Sequence, residues 1–504
     1  YWRSAAHDLD RDTAKGYRAM ILPGQQFGVY SWGATFDPIA PAITKAPVAQ
    51  RYAVRYSDAH SSQLLTAVDN LVQQRRLVPG QLSRLLSLLG VQQIVVSADG
   101  RPENSGEIDA ASTTDVLKRE AALSRQTQSY GPRLLVSPAV GRGGQAVSLP
   151  AIRRYSLPVP AKGAQGEVRA HSRKGSVLVT GDANAITELA AANLLPKDRA
   201  VLFSGDQTAG QIRSLIHNGA SLVITDTNRR QTVLATRTTH DQGTVLSVKD
   251  AIANDVPSYA LFEGLGHSKQ TVAVYTGVEY VTNPEGPQLL LRPEARPYAA
   301  IDGDLKTTWT PADFVPAHRW IQIGLKRPTQ VGVIKIHPHR DGLVQTTRIG
   351  LSINGGPERD IRLMPGWNSI ETGPVLIKTI RVRITHTSTF GGIDLGGIDE
   401  ISVPGVTARE WLRTPIWAGR ALAGANLDHN PVSVLLARQT ASDPYRESGA
   451  YGGPVPTGDP QATFDAERSI HRLVSIPASR SFAPSGWASS SPWAKDQQFD
   501  RLAG

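Results

Sequence analysis

The chain has 504 residues, of which 40% are hydrophobic and 19% are charged, so it is long enough for several domains and has the composition of a folded protein. Its 54 Lys and Arg residues outnumber its 44 Asp and Glu residues and give a net charge of +10. The basic residues occur as scattered pairs without interleaved aromatic residues, which argues against nucleic acid as a partner. Because the chain has no cysteine, disulfides, thiolate zinc sites and cysteine nucleophiles are excluded.

The first part of the chain mixes predicted strands and helices. It begins at Tyr1 with "YWR", an aromatic and basic group typical of the flank of a membrane segment, and no window reaches the apolar length of a transmembrane helix. We therefore expect a piece of a longer protein. "YRAMILPG" and "VQQIVVSAD" predict strands, and "SQLLTAVDNLVQQRRL" and "PGQLSRLLSLLG" predict helices. These elements predict an α/β domain over residues 1–142 that follows a membrane segment.

Residues 143–282 are predicted to form a second α/β domain. Between 176 and 226, three short apolar strands alternate with two helices, which predicts a βαβαβ unit with a parallel sheet. Asp182, Asp206 and Asp226 follow the three strands, where ligands of such sheets bind. They are candidates for a metal or sugar site, but Asp182 and Asp206 stand directly before helices, which favours helix caps.

The later part of the chain has the alternating pattern of β-strands. "RWIQIGL", "QVGVIKIHP", "TTRIGLSING" and "TIRVRITHT" are separated by Gly, Pro and Asn turns and predict a β-sandwich over residues 283–406. "PVSVLLARQ" and "SIHRLVSIP" continue this style and predict part of a further β-sandwich over 407–504. The predicted fold class is therefore a multidomain protein with parallel-sheet α/β structure followed by all-β structure.

Four elements of residues 283–406 resemble the coagulation factor 5/8 type C, or discoidin-like, carbohydrate-binding module. These are "AAIDGDLKTTWT", "RWIQIGLKRPTQVGVIKI", "GLSINGG" and "TIRVRITHTSTFGGIDLGGIDEISV", in this order. The resemblance implies a jelly-roll sandwich that binds its ligand with loops at one end. Trp309, in the first element, is expected in the core rather than on a binding surface.

The Asp-Gly-Asp turn in this module is a candidate site for structural Ca²⁺, which prefers six to eight oxygen ligands. The turn offers the Asp304 carboxylate, the Thr307 hydroxyl and carbonyl, and backbone oxygens near Asp302. In the modules that the chain resembles, a Glu near the last strand completes the cage, and Glu400 stands at that place. The alternative is a metal-free turn in which Asp302 and Asp304 accept backbone N–H groups.

Sugar recognition needs an aromatic face and hydrogen-bonding groups. Phe390 lies in the glycine-rich loop "HTSTFGGIDLGG" and is predicted to be the aromatic platform, while His337, His339 and Arg340 end a strand and are predicted to bond the glycan hydroxyls. The His-x-His pair also has metal spacing, but without a third ligand nearby we favour a surface loop over a zinc site.

The rest of the chain resembles the large D-type α-(1→3)-arabinofuranosyltransferases of mycobacteria and other actinobacteria. The matching segments are "ILPGQQFGVYSWGATFD" (21–37), "LLSLLGVQQIVVSAD" (85–99), "LLPKDRAVLFSGD" (194–206) and "VITDTNRR" (223–230). In that family, transfer from a polyprenyl-phosphate arabinose donor is attributed to acidic residues of a multi-helix membrane domain. The resemblance therefore implies the extracytoplasmic part that follows those helices, without the catalytic aspartate.

The predicted function is a non-catalytic region that binds and positions glycan within a membrane arabinofuranosyltransferase that builds cell-wall arabinan of arabinogalactan or lipoarabinomannan. Its expected partners are that glycan and the membrane domain of the same polypeptide, at the periplasmic face of the plasma membrane. The alternative is a secreted glycoside hydrolase with a binding module, for which two of the three aspartates must face each other across roughly 5 to 10 Å. A third hypothesis is a protein that only adheres to envelope polymer.

Overall fold

The structure is a computed structural model with several sheets of different architecture. It describes residues 1–25, 27–51, 59–105, 107–123, 126–137, 145–158, 170–229, 231–232, 246–250, 258–259, 266–284, 295–311, 315–340, 344–389, 396–437 and 470–488. Within these ranges, no helix combines the length and the apolar character that crossing a membrane requires.

The first region is a mixed sheet with helices packed against it. Its helices are α1 (Trp2–Asp12), α2 (Ala40–Ile43), α3 (Ala59–Gln73), α4 (Gln81–Leu88), α5 (Pro102–Ser105) and α6 (Ala110–Leu117). Its strands are β1 (Arg18–Ile21), β2 (Gly28–Tyr30), β3 (Gly33–Phe36), β4 (Val48–Ala49), β5 (Val91–Ser97), β6 (Thr127–Val136) and β7 (Val147–Ser156). The sheet has the order β4-β1-β5-β7-β6, and β2 and β3 form a separate hairpin.

The end of this region differs from the boundary predicted at residue 142. β1 lies parallel to β4 and β5, whereas β7 pairs antiparallel with both β5 and β6. The connection between β6 and β7 contains residue 142, so β7 belongs to the first sheet rather than to the second domain. The pairing of a hairpin strand is decided by backbone hydrogen bonds that composition does not reveal.

The sequence signals around α4 operate as predicted. The helix follows Gly80, whose φ is +77°, and Gly90 comes shortly after its end with φ of +64°, a left-handed conformation that glycine adopts without strain. Leu82, Leu85 and Leu86 share one face of α4 and are fully buried in the core of this region. Their burial attaches the helix to β5 and to the neighbouring helices.

The second region contains the predicted parallel sheet. Its elements are β8 (Val177–Thr180), α7 (Ala183–Ala191), β9 (Val201–Phe203), α8 (Ala209–His217) and β10 (Ser221–Thr225), followed by the short antiparallel pair β11 (Gln231–Thr232) and β12 (Ser258–Tyr259). β8 lies between β9 and β10 and is parallel to both. The chain passes from one side of β8 to the other, so the carboxyl ends of β8 and β10 form a topological switch point.

The two helix caps predicted in this region have different outcomes. Asp182 caps α7, because its carboxylate accepts the backbone N–H of Asn184 at 3.0 Å. The prediction that Asp206 caps the next helix is wrong. Asp206 ends a short 3₁₀ turn, and Thr208 caps α8 in a capping box with Gln211, whose side chain returns a bond to the Thr208 amide.

The third region is built from antiparallel strands. They are β13 (Val272–Thr276), β14 (Val278–Thr282), β15 (Trp320–Pro338), β16 (Val344–Ile353), β17 (Arg359–Arg362), β18 (Asn368–Thr389), β19 (Ile398–Ser402) and β20 (Arg409–Arg413). The main sheet has the order β14-β15-β18-β16-β17, with β19 paired to β15. Register shifts along β15 and β18 bend these long strands around an apolar core. Trp309 is fully buried in this core, as expected from the sequence.

The described residues of 407–504 do not form the further β-sandwich that was predicted. They contain α9 (Trp417–Ala421), β21 (Val432–Leu435) and β22 (Arg472–Leu473). β21 lies parallel to β10 at the edge of the second sheet, and β22 pairs with β20. The reason is visible in the packing: Asn430 donates to the carbonyls of Ile216 and Ala220 at 2.9 Å each, which fixes the segment beside α8 and β10.

Candidate functional site

A cluster of polar and aromatic side chains lies where β15 ends. β15 and β19 run antiparallel, with His337 opposite Glu400 and a register shift before the next pair. This pairing brings the end of β15 beside Asp399. The cluster, which we call the strand-end cluster, consists of His337, His339, Arg340, Thr308, Trp367 and Asp399.

Asp399 is the centre of the strand-end cluster. Its two oxygens face the Nδ1 atoms of His337 at 3.1 Å and of His339 at 2.8 Å. The hydroxyl of Thr308 donates to the same carboxylate at 2.6 Å. One buried carboxylate thus fixes both imidazole rings, and their Nδ1 atoms are used inside the cluster rather than for a ligand.

The electrostatics of Asp399 favour its ionised form. Burial by itself raises the pKa of this carboxyl, but hydrogen bonds from His339 and Thr308, together with the charge of His339, outweigh burial and hold the pKa below its usual range. Because an ionised carboxylate only accepts hydrogen bonds, the Nδ1 atoms of His337 and His339 are the donors in these contacts.

Trp367 supplies an aromatic surface beside the histidines. Its ring meets His337 edge to face, with centroids 5.5 Å apart and an interplanar angle of 77°. The side chain is 47% exposed, and neighbouring Met364 is 62% exposed. Arg340 donates to Gln345 at 3.2 Å and to the Leu363 carbonyl at 2.9 Å, which ties the end of β15 to the turn that carries Trp367. The cluster therefore combines an exposed indole with oriented polar groups.

The predicted glycan residues are only partly brought together. His337, His339 and Arg340 are neighbours at the strand end, whereas Phe390 lies outside the described residues. Sequence reasoning missed Asp399, which becomes central only through the pairing of β15 with β19. Trp367 was also missed, although a tryptophan in the turn sequence "PGWN" is a signal for exposure.

The predicted calcium turn is closed by its own hydrogen bonds. The Asp302 carboxylate accepts the Asp304 amide at 2.9 Å and the Thr307 hydroxyl at 2.9 to 3.0 Å. The Asp304 carboxylate accepts the Lys306 amide at 2.9 Å. These are the bonds of the metal-free alternative. The Asp302 carboxylate is also close enough to Glu400 for its negative charge to raise the pKa of Glu400.

Glu400 lies next to this turn and is nearly buried. Its Oε2 atom accepts the Gly303 amide at 2.9 Å. Burial raises the pKa of Glu400 to about 7; the Gly303 bond opposes this change, and the negative charge of Asp302 adds to it. The two carboxylates lie together with little water around them, and a hard cation such as Ca²⁺ bound between them would offset their repulsion.

The fit to calcium is therefore partial. The Asp302 carboxylate lies near Glu400 and accepts the Thr307 hydroxyl, whereas the expected ligand Asp304 accepts the Lys306 amide. Within the described ranges, no group of three or more His, Asp and Glu side chains is arranged to hold a metal ion. A calcium ion at this turn would need backbone carbonyls and water for the remaining ligands.

The aspartates of the parallel sheet are engaged in structural contacts. Asp226 is buried and pairs with Arg229 at 3.5 Å and with Arg472, and its other oxygen accepts the Ala437 amide at 3.2 Å. Asp182 is the cap of α7. A hydrolase needs two carboxylates that face each other across an open cleft. These contacts do not favour the glycoside hydrolase alternative.

Comparison with known proteins identifies similar chains. The family model described as alpha-(1->3)-arabinofuranosyltransferase, N-terminal GT-C domain, matches residues 1–258. The alpha-(1->3)-arabinofuranosyltransferase of Mycobacterium tuberculosis is 22% identical over 373 residues, which are 70% of this chain and 26% of that protein. The chain thus spans about a quarter of this curated relative.

Two solved structures have a similar fold. The cryo-EM structure of arabinofuranosyltransferase AftD from mycobacteria superposes with a TM-score of 0.66 at 20% identity and covers 94% of this chain and 36% of that one. A mutant of the same enzyme gives a TM-score of 0.64 at 20% identity, over 82% of this chain and 34% of that one. The arrangement of α/β and β structure is therefore shared with these chains.

Proposed function

The chain belongs to the alpha-(1->3)-arabinofuranosyltransferase family, and from this premise we propose that it is the region of a membrane arabinofuranosyltransferase that holds cell-wall arabinan while transfer takes place elsewhere in the polypeptide. The proposal places the region at the extracytoplasmic face of the membrane, next to the membrane domain of the same chain. The third, all-β region acts as a discoidin-like carbohydrate-binding module within it.

The observation that carries the proposal is the strand-end cluster. An exposed indole offers a face for the apolar C–H groups of a sugar, and the imidazole of His337 beside it offers its Nε2 atom to a sugar hydroxyl. Because Asp399 fixes the rings before any ligand binds, little conformational entropy is lost when a sugar is held. The cluster contains no pair of opposed carboxylates, so its chemistry suits binding rather than glycoside hydrolysis.

Calcium has a structural place in this proposal. Asp302, Glu400 and Thr307 would hold the ion, which would neutralise the two carboxylates and fix the turn against β19. Because Asp399 and Glu400 are adjacent in β19, ordering this turn would also steady the carboxylate at the centre of the strand-end cluster. The ion would contribute rigidity and take no part in a reaction.

The test is titration of the purified chain with defined arabinofuranosyl oligosaccharides by calorimetry, together with product analysis of the same samples. We expect binding without cleavage. Trp367→Ala should weaken the affinity by roughly three- to tenfold, since one aromatic contact contributes about 0.5 to 1.5 kcal/mol. The matched control is Trp487→Ala, which removes another tryptophan that is 52% exposed and lies outside the cluster.

Two outcomes would overturn the proposal. Release of sugar by the wild-type chain would show that the region is catalytic. The carboxylates of the parallel sheet would then be the candidate catalytic residues. Equal affinity of Trp367→Ala and wild type, with both proteins folded by circular dichroism, would remove the strand-end cluster as the binding surface. Loss of binding in Trp487→Ala would indicate a different surface.

A further inference from the structure

The hairpin formed by β2 and β3 exposes large apolar side chains to solvent. We call residues 27–36 the aromatic hairpin. Every residue of β3 is exposed, without the alternation of a strand that has a buried face. Phe36 is 63% exposed and Trp32, in the turn, is 47% exposed. Solvent-facing aromatic side chains on one short hairpin indicate a surface that meets another phase or molecule.

The exposed indole is held in a fixed orientation by a buried carboxylate. The Nε1 atom of Trp32 donates to Oδ2 of Asp99 at 2.8 Å, and the same oxygen accepts Tyr1 Oη at 2.7 Å and Trp2 Nε1 at 2.9 Å. Trp32 also stacks on Tyr30 with centroids 4.8 Å apart and an interplanar angle of 4°. Tyr30 therefore covers one face of the Trp32 ring, and the hydrogen bond to Asp99 fixes the orientation of the face that is exposed to solvent.

A shallow groove of about 810 Å³ lies beside the hairpin and is mostly apolar. It is lined by Phe27, Val29, Ala34, Thr35, Phe36 and Asn104. The hydroxyl of Thr35 is already bonded to the Asp37 carbonyl at 2.6 Å, and the indole N–H of Trp32 is bonded to Asp99. The side-chain donors of Thr35 and Trp32 are thus used within the protein, and Asn104 is the polar side chain of the lining with no such bond to the described residues.

The rings of Phe27 and Phe36 also do not form a sugar platform. Their centroids are 5.7 Å apart and their planes are inclined by 55°, so they present edges rather than one flat face. An acyl chain has no hydroxyl groups to satisfy and adapts to such edges. The groove therefore suits a lipid better than a glycan.

The charges around the aromatic hairpin fit an anionic surface. Arg3 is exposed one residue after Trp2, and Arg101 is exposed where its amide pairs with Val29 at 2.9 Å. Asp37 is the exposed acid next to Phe36. Arg101 thus adjoins β2, and Arg3 adjoins Trp2, whose ring lies 5.7 Å from that of Tyr30. The carboxylate of Asp99 is buried behind Trp32, and the whole chain carries a net charge of +10. Tryptophan and arginine together are typical of the boundary between headgroups and acyl chains.

We propose that the aromatic hairpin is a membrane-contact site that inserts Trp32 and Phe36 into the interface of a bilayer containing anionic lipids. Phe36 enters the acyl boundary, Trp32 lies at the headgroup level with its N–H satisfied by Asp99, and the flanking arginines contact lipid phosphates. This site is separate from the strand-end cluster and orients the first region on the lipid surface. It does not depend on the glycan-binding role.

The experiment is co-sedimentation of the purified chain with vesicles of phosphatidylcholine alone and of phosphatidylcholine with phosphatidylglycerol, at two salt concentrations and without any glycan. We expect binding to the anionic vesicles that salt weakens. The double variant Trp32→Ala with Phe36→Ala should reduce the partition coefficient roughly tenfold or more, because both inserted side chains are lost. Trp32→Phe should retain most of the binding.

The matched control replaces another exposed Trp and Phe. Phe482 and Trp487 are 46% and 52% exposed, and the double Ala variant should bind vesicles as wild type does. Two results of the sedimentation would overturn the proposal: no binding of the wild-type chain to anionic vesicles, or equal losses in the two double variants. A separate calorimetric titration with arabino-oligosaccharides would also overturn it if changing Trp32 and Phe36 abolished the glycan affinity. The last result would assign the hairpin to glycan. Circular dichroism establishes that each variant is folded.

Discussion

Replacing Glu400 with Gln isolates the ionisable group at the turn that precedes the strand-end cluster. The Gln side chain keeps a carbonyl oxygen that accepts the Gly303 amide, a bond of 2.9 Å in the structure. Its volume is also nearly unchanged. The variant lacks the ionisable carboxyl group of Glu400, which in the wild-type chain is buried close to Asp302.

The size of the effect follows from the pKa of Glu400, which rises from 4.5 in the unfolded chain to about 7 in the fold. A change of this size corresponds to about 3 kcal/mol between the protonated and ionised forms. Because the folded state binds this proton more tightly, the wild-type chain is stabilised at pH below the unfolded value and loses that stability as the pH rises through about 7. Glu400→Gln should therefore match wild type near pH 4.5 and exceed its free energy of unfolding by about 3 kcal/mol above pH 8.

The assay is chemical denaturation of wild type and Glu400→Gln at several pH values between about 4.5 and 8.5, with EDTA present so that no cation neutralises the carboxylates. The difference in the free energy of unfolding is the quantity of interest, because other groups titrate equally in both proteins. A difference that does not change with pH would refute the reasoning. So would a variant that is less stable than wild type at high pH.

Three further predictions concern the same chain. Calcium at millimolar concentration should raise the thermal midpoint of wild type but leave Asp302→Asn unchanged, which differential scanning calorimetry measures. Thr208→Ala should cost about 1 kcal/mol of stability in chemical denaturation through loss of the α8 cap, whereas Asp206→Ala should be nearly neutral; the reverse order would restore Asp206 as the cap. Trp309→Ala should destabilise the β region by about 3 to 5 kcal/mol, because it empties a fully buried site; a loss below 1 kcal/mol would contradict its place in the core.

Local signals in the sequence predicted the elements that depend on neighbouring residues. The glycines around α4, the strand and helix alternation of the parallel sheet and the burial of Trp309 all follow from periodicity and turn chemistry over a few residues. The cap of α8 shows where prediction from local sequence fails, because Asp206 and Thr208 both precede the helix and either could be its cap. A 3₁₀ turn at 204–206 moves the start of α8 past Asp206, and only the backbone path shows this.

The parts that the sequence did not predict depend on contacts between distant segments. Asp399 lies 60 residues from His339 in the chain, and only the register of β15 against β19 brings them together. The strand β21 has the apolar composition of a sandwich strand, but it pairs in parallel with β10. A single sequence contains no signal for the partner of such a strand, because composition describes burial and not neighbours.

The position of β21 has a consequence for the order in which this protein can fold during synthesis. The second sheet receives its last described strand only after the ribosome has made the whole β region that lies between β10 and β21 in the chain. Until then the edge of β10 is unpaired and open to other strands. The β region begins with β13 and ends with β20, and because these two strands pair with each other, its two ends lie side by side. The main sheet of the β region can therefore form before β21 pairs with β10, and β22 joins β20 only later. A cut made after β20 would leave the α/β sheet without β21.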